Sequence, residues 1–219
     1  MICYIIGGKV LTMTGEIWEK GYVRVEGGKI TELGPMKNGA PFPLPEGEQV
    51  MVVNALGALV MPGLIEAHCH MGITEEKKGM EGDDCNETVD PITPQLRAMD
   101  AINPMDAAFD DALRAGITSA MIGPGSANVV GGTFSFVKTH GRAIDDMLVR
   151  SPAAMKVAFG ENPKANYAGQ DKSPATRMAI AAMLRQELFK AQRYYEKKCA
   201  GMKRSEEDFH YEAWVPVFE

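Results

Sequence analysis

Residues 57–73 read GALVMPGLIEAHCHMGI. From Leu59 to Ala67 the run is almost continuously apolar, the composition of a strand buried on both faces of a sheet. It ends in His68 and His70, one residue apart. Side chains of a strand alternate between faces, so both imidazoles are expected on one side and Cys69 on the other. Two imidazoles one pleat apart can converge on a single metal ion. They stand at the C-terminal end of the strand, where barrel enzymes build their sites. In a chain with four histidines the spacing alone is a weak signal. Two polar rings closing an apolar strand nevertheless ask for a chemical reason.

Outward from this stretch the rhythm differs on the two sides. Residues 1–57 look all-β: CYIIGGKVLTM (3–13) is two apolar runs around Gly7-Gly8, and YVRVEGGKITELG (22–34) alternates on both sides of Gly27-Gly28, as a tight hairpin does. QVMVVNALG (49–57) supplies another strand, and the proline-rich APFPLPEGE (40–48) reads as a surface loop. Such strands need a second sheet, so a small sandwich, or part of one, is expected.

From residue 58 to 219 strands alternate with helices. Residues 74–103 are polar and long for a connection, as lids and binding loops are. Asn103 as N-cap and Pro104 in the first turn open a helix, with Met105, Ala108, Phe109, Ala112 and Leu113 on one face and Gly116 as its stop. ITSAMIG (117–123), GTFSFVKTH (132–140) and AAMKVAFG (153–160) read as strands, and RAIDDMLVRSP (142–152) as an irregular link or a short strand. Ser173 and Pro174 open a long helix whose stripe is Ile180, Leu184, Leu188, Ala191 and Tyr195, stopped by Gly201; Ser205 with Asp208 starts a last one. The class is α/β with a parallel sheet, doubly wound or barrel. No glycine fingerprint follows a first strand, which disfavours a nucleotide-binding doubly wound sheet.

The chain has 219 residues, 45% hydrophobic and 24% charged, the balance of a soluble globular protein. A net charge of -6 argues against nucleic-acid and anionic-membrane partners. No apolar run approaches the roughly 20 residues of a membrane span. Cys3, Cys69, Cys85 and Cys199 form no CxxC pair, and reduced thiols in the cytoplasm are the economical reading.

VMPGLIEAHCHMG (60–72) resembles the signature of the amidohydrolase superfamily, with Glu66 where the family usually has Asp. ETVDPITPQLRAMDAINPMDAAFDDALRAGITS (87–119) and VVGGTFSFVKTHG (129–141) resemble more narrowly its imidazolonepropionase-related members. The resemblance implies a small composite β-sandwich (1–57) followed by a (β/α)₈ TIM barrel, here only its first half (58–219). It implies one or two divalent ions, usually zinc, that activate water against a non-peptide C–N bond in a cyclic amide, lactam or N-acyl substrate. Bound to such a metal, water's pKa falls from about 16 to about 7.

His68 and His70 are then metal ligands, with a third from the end of the fourth strand. Glu161 is favoured over a carboxylated Lys156, because it follows Gly160 at the strand end and the two have opposite parity. Lys156 sits mid-strand, where an uncarboxylated ammonium inside a barrel is costly unless paired. His140, after the TFSFVKT strand, is a candidate for orienting substrate; His210, beside Glu206, Glu207 and Asp208, reads as part of a solvated face. The glycines of GPGSANVVGG (123–132) could let backbone approach a substrate. The family's further histidines and its aspartate base belong to later strands, so the chain alone is expected to be inactive, its partners being a small-molecule substrate and the missing half-barrel. Homo-oligomerisation of the complete protein is left open. The rival readings are deamination on the same site and a non-catalytic half-barrel that binds a partner chain.

Overall fold

The structure, a computed structural model, describes residues 1–37 and 50–219. The proline-rich segment 40–48 therefore lies outside the described residues. The chain divides into two compact units, Met1–Gly63 and Leu64–Glu219.

The first unit is all strand: β1 (Ile2–Ile6), β2 (Lys9–Leu11), β3 (Ile17–Trp18), β4 (Gly21–Glu26), β5 (Lys29–Pro35), β6 (Val50–Asn54) and β7 (Leu59–Val60). One sheet has the order β5-β4-β1-β6, the other β3-β2-β7. The Gly27-Gly28 turn joins β4 to β5 in antiparallel register, Glu26 opposite Lys29. Ile2, Tyr4, Val10, Val23 and Ala55 are buried. The sequence reading placed Leu59 and Val60 with the second unit. They instead pair in parallel with Lys9 and Val10, because the apolar run is broken at Pro62-Gly63.

The second unit contains β8 (Leu64–Cys69), α1 (Ala107–Arg114), β9 (Ile117–Ile122), β10 (Val130–Lys138), α2 (Ile144–Met147), β11 (Leu148–Val157), α3 (Glu161–Ala168), α4 (Arg177–Cys199), α5 (Phe209–Glu212) and α6 (Val215–Phe218). Its sheet has the order β11-β10-β9-β8. Only β8 and β9 are parallel; β10 is antiparallel to both neighbours. This corrects the all-parallel expectation, and the connections explain it. A parallel return needs a crossover of about a dozen residues or more. β8 and β9 have one, containing α1. Between β9 and β10 there are only residues 123–129, with no helix, so the chain can only turn back. The link at 142–152 resolves likewise into the short α2 and the first half of one long strand, β11.

β8 lies at the sheet edge, and Leu64 and Ile65 are exposed, not buried on both faces as the apolar run suggested. Behind the sheet, Ala120, Ile122 and Val137 pack with Phe109 of α1, Met147, Ile73, and Ala98 and Ile102 from the 74–103 region. That long segment is tied to the sheet by backbone hydrogen bonds. Thr93 N–H donates to Val130 O at 2.9 Å, and Thr133 N–H to Leu96 O at 2.7 Å. Asn128 extends the tie, giving its amide to Thr93 Oγ1 (2.9 Å) and taking the buried Tyr167 hydroxyl (2.7 Å). Burial pushes the Tyr167 phenol up to about 12, so it stays a donor throughout.

A second cluster joins Ile180 and Ala191 of α4 to Val129, Val130 and Trp214. Glu187 is buried in the α4 stripe, where its Oε1 accepts from Trp214 Nε1 (3.0 Å) and meets His210 Nε2 (2.5 Å). His210 is therefore a packing partner, not part of a solvated face. α5 is capped by Asp208, not Ser205, since Asp208 Oδ1 accepts from His210 N–H at 2.9 Å. Glu187→Ala strands a buried indole N–H and is expected to cost about 1–3 kcal/mol, roughly 3–10 °C in Tm at this size. A thermal melt with unchanged Tm would refute that account.

Glu212 of α5 accepts from Lys198 and from the Tyr194 hydroxyl. Those two bonds, Lys198 first, hold its carboxyl below the usual carboxylate range. A depressed carboxyl stabilises the fold above its unfolded value and ceases to do so as pH falls through its folded value. Tm is thus expected to drop on acidification, and Glu212→Gln to flatten that slope; an unchanged slope would contradict the assignment.

Candidate metal-binding site

β8 carries a bulge just where its chemistry begins. Glu66 pairs with Ala120 and Cys69 with Ile122, so two residues, Ala67 and His68, face one on β9. Bulges re-aim side chains. Cys69 turns toward the helix-side core, and its thiol lies 3.7 Å from Met121 O. His68 and His70 meet on the other side, ring centroids 5.3 Å apart and nearly perpendicular at 87°.

His70 is held by its ring. Its Nδ1 lies 2.7 Å from the carbonyl of Gly123, at the end of β9. A carbonyl only accepts, so Nδ1 is the donor here and Nε2 is the nitrogen left available to a metal, the division of roles metal-binding imidazoles use. Burial first, then Lys156 and His70, hold His68 below the usual imidazole range. That direction favours the neutral form a ligand needs.

Phe134 of β10 backs the pair, 5.4 Å from the His68 ring. Gly123 makes this possible, since a Cβ there would lie 2.2 Å from Phe134 Cδ1. On β11, Lys156 is opposite Gly132 and buried, its Nζ 6.0 Å from the centre of the same phenyl ring. Burial pushes its ammonium down, with Cys85 acting weakly the other way. The contact of its amine among the described residues is with that ring.

The other candidates lie elsewhere. Glu161 is the exposed first residue of α3 and ion-pairs with Lys164 at 2.8 Å. The expected strand end is a helix start, and its carboxylate is exposed beside Lys164. His140 is exposed beyond the far end of β10. Because β10 runs antiparallel to β9, its neighbour Thr139 bonds Thr118 and Ile117, at the start of β9. His140 is thus at the opposite end of the sheet from His70. Among the described residues no three His, Cys, Asp or Glu side chains form a metal-holding group. What the structure brings together is the two imidazoles, with Phe134 against His68 and Lys156 over the same phenyl ring.

A cavity of about 400 Å³ is lined by Asp83, Asp84, Asn86, Glu87, Arg97 and Gly131 among others, and by none of His68, His70, Phe134 or Lys156. Gly131 separates it from Lys156: a Cβ there would sit 3.4 Å from both Lys156 Cγ and Pro124 Cβ. Asp100 takes up Arg97 in a two-pronged pair at 2.9 and 2.6 Å. Phe134 carries no signal in the sequence that marks it as part of the site. The GPG turn was flagged for backbone approach, yet it is the carbonyl of Gly123, not an N–H, that works here.

No family profile matches the chain. Among curated proteins it is 32% identical over 176 residues to an amidohydrolase, tasK, of Hapsidospora irregularis, a match covering 75% of this chain and 17% of that protein. It is 43% identical over 72 residues to a 5-methylthioadenosine/S-adenosylhomocysteine deaminase of Symbiobacterium thermophilum, covering 32% of this chain and 15% of the deaminase. Among solved structures, an amidohydrolase from Thermotoga maritima superposes with a TM-score of 0.86 at 35% identity, over 96% of this chain and 54% of that one. The chain belongs to the amidohydrolase superfamily. It spans about half the length of the solved relative and less than a fifth of the curated ones. No helix among the described residues is long and apolar enough to cross a membrane.

Proposed function

We propose that this stretch supplies the metal-holding wall of an amidohydrolase that hydrolyses a non-peptide C–N bond, with a cytosolic small molecule as substrate. The observation that carries the proposal is the His68–His70 pair at the end of β8, with His70 locked by Gly123 so that Nε2 is free. His68 and His70 would hold a divalent ion, zinc being the first candidate. Lys156 replaces Glu161 as the third ligand. Its buried amine, pushed toward the neutral form, can add to carbon dioxide and lose a proton, giving a carbamate whose oxygens bind metal. When bound, the ion supplies an activated water and polarises the scissile carbonyl.

The cavity beside Lys156 would receive the substrate, with the 74–103 wall excluding bulk water. β8, α1 and β9 form one parallel strand–helix–strand unit, which supports a half-barrel reading. The exposed Leu64 and Ile65 on the β8 edge support further chain packing there, and a partner chain could supply it. The match to a deaminase favours a second reading, loss of ammonia from an aromatic amine on the same site.

The test is a metal-loaded protein of the relatives' length, offered lactams and N-acyl compounds in one panel and aminopurines in another. Carboxylate product supports the first reading and ammonia the second. Metal that binds without dependence on His68 or His70 would refute both.

A further inference from the structure

We infer that Asp106 is a positioning residue for His70, clamping the backbone that leaves the imidazole pair; its effect on metal rests on the proposal above. Asp106 is buried and accepts three backbone N–H groups. Oδ2 takes Gly72 N–H at 3.2 Å; Oδ1 takes Glu76 N–H at 3.2 Å and Ala108 N–H at 3.3 Å. The last of these caps α1. A cap alone needs a single acceptor, which serine provides without burying a charge. The second oxygen, and half the work of the first, go to residues 72–76, immediately after His70.

That segment is seized from both sides. Gly72 also gives its carbonyl to Asn103 N–H (2.9 Å), and Asn103 Nδ2 reaches Glu75 Oε2 at 2.6 Å. Gly72 has φ +76°, and a Cβ there would meet Phe109 Cε2 at 2.9 Å, so the turn lies flat on the start of α1. Upstream, the carbonyl of His70 accepts from Ile73 and Thr74 N–H at 3.1 and 2.9 Å. His70 is therefore gripped twice, by its ring at Gly123 and by its backbone through Gly72 and Asp106. Release of the second grip frees the main chain to rotate and lengthens the ring's bond to Gly123.

Asp106→Asn separates cap from clamp. Asparagine caps a helix as well as aspartate does. Its Nδ2, however, opposes an N–H on one arm, donor against donor. Two readouts decide. In imidazole ¹⁵N spectra of the metal-free chain, His70 is expected to move from a single Nδ1–H tautomer to a mixture, and zinc Kd to rise about 10–100-fold, the usual cost of losing an outer-shell support. Asp106→Ser, a full cap too short for the second arm, must behave alike. Thr176→Ala, which removes the α4 cap to Ala179 N–H, supplies comparable destabilisation at a distance and should change neither. If both Asp106 variants keep the His70 tautomer of the wild type, the inference is overturned. If zinc binding proves independent of His70 the metal proposal falls, while the tautomer result still decides for or against Asp106.

Discussion

Alanine at His68 or His70 is expected to reduce zinc affinity by more than the roughly 10–100-fold that loss of an outer-shell support costs, with little loss of fold. Both rings lie at or beyond the end of an edge strand, so no core is opened by their removal. His70→Ala vacates one bond to Gly123 O, a carbonyl that then turns to water. Equilibrium dialysis against zinc, read with circular dichroism on the same samples, checks this. Bound zinc unchanged in either variant would remove the basis of the site.

Substitution of Lys156 should separate stability from function, and substitution of Glu161 should do neither. A lysine side chain buried beside a phenyl ring, without an acid to balance it, is a cost to the fold. Lys156→Met keeps the length and apolar stem and removes the charge, so Tm is expected to rise while zinc affinity falls. Such opposed effects mark residues retained for chemistry. Added bicarbonate should raise the zinc affinity of the wild type and leave that of Lys156→Met unchanged. Glu161→Ala loses an exposed ion pair with Lys164 that salt already screens, and should bind zinc as the wild type does. The opposite ranking, zinc lost with Glu161 and kept with Lys156→Met, would return the third ligand to α3.

Much of the organisation was written in local sequence. The Gly27-Gly28 hairpin, the helix ending at Gly116 and the long α4 depend on turn chemistry and periodicity within a few residues. The histidine pair was legible for the same reason, since its spacing and its place after an apolar run are local facts. Strand direction was not. An antiparallel β10 follows from a seven-residue link (123–129) with no room for a helix, and that one reversal carries His140 to the wrong end of the sheet. Where Glu161 and Lys156 stand was likewise fixed by tertiary structure. Parity could say only that the two differ, whereas pairing with Gly132 and the Phe134 ring buries one, and the start of α3 exposes the other. Asp106 and Gly123 act on His70 from 36 and 53 residues away, through backbone groups that every residue possesses. Sequence specifies what each short segment prefers; which distant backbone oxygen or carboxylate meets an imidazole exists only once the sheet and α1 are packed together.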